Sequence, residues 1–173
     1  MSCRLSRRAQ TLCTASCSVA LVTAATLIGS PGASADNRRL INSVVSNVYT
    51  VQRQAGCTGK LTVDPALRLA AEWHTRDVLA NRALNGEVGS DGSTPQSRAE
   101  AAGFRGRVSE TVAINPALAI SGIELINLWY HDPRNFAVMR DCRNTKIGVW
   151  SENSLDRTVV VAVYGEPSEE TVG

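Results

Sequence analysis

The sequence predicts an α+β domain, a three-layer α/β/α sandwich around a small, mainly antiparallel central sheet. Three observations predict it. Apolar residues recur at three- and four-residue steps through two long segments, residues 38–54 and 64–82. Two late runs, residues 145–150 and 157–164, are rich in β-branched residues and flank a polar turn around Asn153, as in a hairpin. Between these ends lie short segments opened by helix-capping residues, with no internal repeat and no low-complexity block. Helices that bury one stripe each against both faces of a hairpin-built sheet give a layered domain.

The elements follow in order. Residues 1–35 read as a targeting segment: Arg4, Arg7 and Arg8 precede an apolar run from Cys17 to Ile28, and Ala33-Ser34-Ala35 matches the small-residue cleavage pattern. Cleavage is expected between Ala35 and Asp36. The apolar run is shorter than the ~20 residues that span a bilayer. Ser6-Arg7-Arg8 resembles a twin-arginine signal, but the polar Gln10 and Thr11 follow it, and Cys17 precedes the apolar run where a lipidated cysteine would end one. The domain proper is expected over residues 36–167, with an acidic, flexible tail at 168–173.

Leu40, Ile41, Val44, Val45, Val48 and Val51 give the first helix one apolar face, and Gly56 ends it. Asp64 is expected to cap the second helix, with Pro65 at its first position. Gly86, Gly89 and Gly92 mark a loop. Ser93 and Gln96 have the spacing of a capping box for a short third helix ending at Gly103. Val108 to Ala113 reads as a strand. Asn115-Pro116 is expected to open a helix with Leu118, Gly122, Leu125, Ile126 and Trp129 on one stripe, and Asp132-Pro133 to open another through Phe136 and Met139.

Charge and cysteines change meaning once residues 1–35 are set aside. The full chain carries 18 Lys+Arg and 16 Asp+Glu. The segment beyond Ala35 holds 15 and 16, a net charge of −1, so the basic excess offers no footprint for nucleic acid. Of five cysteines, Cys57 and Cys142 remain. In an exported chain they most simply form a disulfide, worth ~4 kcal/mol in the chain-entropy model. A zinc or redox pair is the alternative, without a C-x-x-C or a neighbouring histidine to support it.

Six local patterns then stand in one order: residues 70–77 (Ala-Ala-Glu-Trp-His-Thr-Arg-Asp), residues 89–95 (Gly-Ser-Asp-Gly-Ser-Thr-Pro) with Arg98 and Ala102-Gly103-Phe104, Ser109-Glu110-Thr111-Val112-Ala113, Trp129 with Asp132-Pro133, and Ile147-Gly148-Val149. Together they resemble the CAP superfamily of cysteine-rich secretory, antigen 5 and pathogenesis-related 1 proteins. The resemblance implies an α/β/α sandwich with a central cleft, exported and often single-domain, in which two histidines and two acids sometimes hold a divalent cation. Carried onto this chain, the acids fall on Glu110 and Asp132, and the histidine positions fall on Glu87 and Asn135. Lipids or sterols are a ligand class the resemblance implies, as is an envelope or host partner. A monomer is expected, and the Arg- and Ala-rich composition suggests a high-GC bacterium.

Each candidate has a plainer reading beside the functional one. Glu110 is either a cleft acid or a carboxylate bonded to a neighbouring loop. Asp132 before Pro133 is a helix cap that can also line a cleft. Oxygen-only donors at Glu87, Glu110, Asp132 and Asn135 do not suit zinc, and a hard cation such as calcium is the one they would suit. Clustered carboxylates without a cation should raise at least one pKa. His74 falls on an apolar stripe, as a satisfied core residue would, whereas His131 is the histidine near enough in sequence to serve a hydrolase. Such an enzyme would pair Glu110 with His131 or Asp132 as acid and base, but the chain has no Gly-x-Ser-x-Gly and no other nucleophile motif with an evident histidine partner. The balance favours a non-catalytic exported binding domain with no cofactor. Trp73, Trp129, Tyr130 and Phe136 are expected mostly in the core, with a groove lining as the alternative.

Overall fold

A computed structural model describes residues 31–168. Residues 1–30 of the expected targeting segment and residues 169–173 of the expected tail lie outside it. The described residues form α1 (Pro31–Gln54), β1 (Thr62–Val63), α2 (Pro65–Ala80), α3 (Pro95–Ala101), β2 (Gly106–Asn115), α4 (Gly122–His131), α5 (Pro133–Met139), β3 (Lys146–Ser154) and β4 (Arg157–Pro167). The expected cleavage point, between Ala35 and Asp36, falls inside α1.

The sheet runs in the order β1-β3-β4-β2. It is mixed: β1 lies parallel to β3, and the two longer pairings, β3–β4 and β2–β4, are antiparallel. β4 sits between β2 and β3, which explains its composition. Both faces of a central strand are covered, so its residues read as a continuous apolar run. Val160, Ala162 and Tyr164 face a core shared with Leu40, Val44 and Val48 of α1, Leu125 and Trp129 of α4, and Met139 of α5. Val159, Val161 and Val163 face the opposite core, made with Leu67, Ala70, Ala71 and Val78 of α2 and Ala99 of α3. Three layers result, as expected.

Gly148 sets the spacing of one layer. A Cβ there would overlap the backbone of Leu67 and Arg68, so α2 lies against β3 with no side chain between them. Cys57 and Cys142 form a disulfide that ties the segment after α1 to the segment after α5. Beside it, the buried Gln52 amide donates to the Asn144 carbonyl at 2.9 Å.

Several local expectations are corrected. The cap of α3 is Thr94, with Ser97 closing the capping box, in place of Ser93 and Gln96. Pro95 occupies the first turn, so the cap must be the residue before it. Asn115-Pro116 opens no helix. β2 runs through Asn115, whose amide donates to the Ala119 carbonyl at 2.8 Å and closes a loop. α4 starts after Ser121, which forms a capping box with Glu124, and Leu118 is left outside the helix and exposed. Of the four aromatics expected mostly inside, Trp129 is buried, while Trp73 is 39% and Tyr130 45% exposed.

Candidate functional site

β2 carries the central residue. Its alternation puts Thr111 and Ala113 towards the α1 layer and Glu110 towards α2 and α3, beside Val163 of β4 in register. Glu110 is 1% exposed. A carboxylate so placed needs a partner, and Arg98 of α3 supplies it. Arg98, 5% exposed, donates from one terminal nitrogen to both oxygens of Glu110, at 3.0 and 3.1 Å.

The same guanidinium organises the loop between α2 and α3. It donates to the Glu87 carbonyl at 2.8 Å and to the Ser93 carbonyl at 2.9 Å. His74 of α2 adds a third tie, from Nε2 to the Gly86 carbonyl at 2.9 Å, and its Nε2 lies 3.5 Å from Glu110 Oε1. A carbonyl only accepts, so Nε2 carries the proton. Asp77 of α2 accepts from the Ser90 backbone at 2.7 Å and from the Ser90 hydroxyl at 2.6 Å. A loop without regular structure is thus held by side chains of the two helices it connects.

Burial pushes the Glu110 carboxyl up to about 8, against the pull of Arg98, and the Glu87 carboxylate adds to the rise. A raised carboxyl was expected from clustered acids, but desolvation is its main cause. His74 shifts the other way: burial, with the Arg98 charge, lowers it below the ordinary histidine value and favours the neutral ring.

Of the other carried-over positions, Glu87 and Asp132 are engaged elsewhere, and Asn135 lies half-buried in the first turn of α5. The Glu87 carboxylate pairs with Arg134 of α5 at 2.9 Å, on the exposed side of the loop. Asp132 is exposed and caps α5, accepting from the Asn135 backbone at 2.8 Å. His131 is exposed, and its Nδ1 contacts the Asn127 carbonyl of its own helix at 2.8 Å. Through Arg98, Glu110 is joined to the loop carrying Glu87, and through Arg134 that loop meets α5. The hydrogen bonds of Asp132 and His131 run to α5 and α4 and do not reach Glu110.

The residues do not fit the family's divalent cation. One acid is bound by Arg98, a second by Arg134 and a third caps a helix. No group of three or more His, Cys, Asp or Glu side chains among the described residues could hold a metal ion.

Two members of the buried centre escaped sequence reasoning. Arg98 entered only as part of a motif, and His74 only as a core residue, which its burial and single loop bond partly justify. Each meets Glu110 from a different element, α3 or α2 against β2, so neither contact leaves a local signal. The available hint was an arginine and a histidine at apolar-stripe positions of two neighbouring helices.

Comparison with known proteins agrees with this architecture. The cysteine-rich secretory protein family, CAP, matches residues 38–164. The chain belongs to the CAP family. Among solved structures, an outer surface protein of Borrelia burgdorferi superposes with a TM-score of 0.66 at 18% identity, over 77% of this chain and 96% of that one. An SCP-domain extracellular protein of Bacillus anthracis gives 0.61 at 14% identity, over 75% of this chain and 41% of that one. A cysteine-rich secretory protein of Staphylococcus aureus gives 0.57 at 12%, over 75% and 39%. At these identities the likeness is one of fold, and this chain spans about two fifths of the last two proteins. No curated protein sequence matches.

Proposed function

We propose that this chain is an exported binding domain without turnover, in which the family's cleft acid has become a structural anchor. One observation carries the reading: Glu110 is 1% exposed and both its oxygens accept from Arg98. A general base must come within hydrogen-bond reach of a substrate proton, and a carboxyl enclosed on this scale cannot do so without opening the loop that Arg98 and His74 hold. The hydrolase alternative needs Glu110 beside His131 or Asp132, and the hydrogen-bond partners of all three lie elsewhere.

Binding is the remaining use of the scaffold, to a lipid or sterol as the family suggests, or to a partner at the envelope or in a host. Export fits the targeting segment read in residues 1–35 and the disulfide. No helix among the described residues is long and apolar enough to cross a membrane. The test is Glu110→Gln against a screen of peptide, ester and cell-wall substrates. Parent and variant should both be inactive, and turnover by the parent that the variant loses would overturn the reading.

A further inference from the structure

A surface cavity of about 450 Å³ lies between α2, the loop after it and α3, lined by Trp73, His74, Asp77, Asp91, Arg98 and neighbouring serines. Its size suits a small ligand. Its rim is open: Asp91 is exposed, and Trp73 presents a 39% exposed indole. Part of its lining is polar and buried: His74 and Arg98, at 1% and 5% exposure.

Each of those two side chains has one nitrogen without a hydrogen-bond partner, His74 Nδ1 and Arg98 Nε. Because Nε2 of His74 donates to Gly86, Nδ1 of the neutral ring is a bare acceptor. Arg98 Nε–H is a donor. Buried polar atoms left unpaired are costly, and these two call for a group that both gives and accepts a hydrogen bond. A hydroxyl does both.

The charges narrow the ligand further. Asp77 and Asp91 oppose an anion at the rim, and the Arg98 guanidinium opposes a cation beneath it. A neutral molecule carrying several hydroxyls can donate to Asp91 and meet both nitrogens below, while its apolar face lies on an indole. We propose that this cavity binds a neutral polyhydroxylated ligand, a saccharide unit, seated on Trp73 with a hydroxyl directed at His74 and Arg98.

The proposal rests on the binding reading above, but the two fail separately. The full chain is titrated with N-acetylglucosamine, glucose, mannose and arabinose, followed by amide NMR shifts. At least one sugar should shift resonances of α2, residues 86–93 and α3. Trp73→Ala, a change at an exposed position, should weaken that binding about tenfold, and Tyr130→Ala on α4 should leave it unchanged. Silence towards all four sugars overturns the saccharide site and leaves the non-catalytic reading standing. Shifts caused instead by tetramethylammonium or inorganic phosphate overturn it in favour of a charged ligand, and sugar binding that survives Trp73→Ala overturns the seat.

Discussion

Arg98 and Glu110 place a guanidinium and a carboxyl where neither could remain without a partner. The arginine has five protein acceptors for its terminal nitrogens: two carboxyl oxygens, two loop carbonyls and the Ser93 hydroxyl. Because Glu110 titrates high, its effect on folding has a defined sign. A carboxyl raised in the native state gives stability that is fully present below its ordinary value and is lost as pH rises through about 8. His74, lowered in the native state, acts in the reverse sense: its contribution is present above its ordinary value and lost as pH falls. Glu110→Gln removes the first effect and keeps the second. The melting temperature of the parent relative to this variant should therefore decline as pH rises from about 4.5 through about 8, and a difference independent of pH would refute it. Differential scanning calorimetry across that range reads it directly.

At the scale of elements, much was legible because capping chemistry is local. Asp64-Pro65 and Asp132-Pro133 both open helices, and each aspartate accepts backbone N–H bonds within its own first turn. The same signal misled at Asn115-Pro116. There a strand paired with β4 along its whole length, Asn115 with Thr158 included, outweighs a local helix start. Ser121 and Glu124 carried the true start six residues on, a box as readable as the false one but less conspicuous without a proline. Ser121→Ala should destabilise the protein by ~1 kcal/mol, as a lost cap does, measured by urea unfolding. Asn115→Asp should leave helix content by circular dichroism unchanged. The polar centre was less legible, because Glu110, Arg98 and His74 come from three elements and meet only once the sheet and both helices are assembled.

For the whole molecule, periodicity and β-branched composition were enough to indicate the three layers, since each layer is built from an amphipathic stripe or a hairpin. The parallel β1 was not readable: two exposed residues, Thr62 and Val63, leave no pattern, and their pairing with Lys146 and Ile147 depends on a distant strand. The disulfide spans 85 residues and joins two loops at one end of the domain. Reducing it should lower unfolding free energy by ~2–5 kcal/mol. Denaturant titration with and without a reductant checks this, and an unchanged midpoint would show that the ends are held without it.

The place of β4 in the sheet has a consequence for how the domain comes into being. It is the final strand of the domain, yet β2 pairs with it alone and β3 pairs with it along its full length. A nascent chain ending before Arg157 therefore has only the two-residue β1–β3 pairing in place of a sheet, and both cores lack their central wall. Such a chain stays unfolded until its closing segment emerges, and every contact that forms the sheet's centre waits for that moment. Under the export proposed above, delayed assembly of this kind would keep the chain in a form able to thread through a narrow channel.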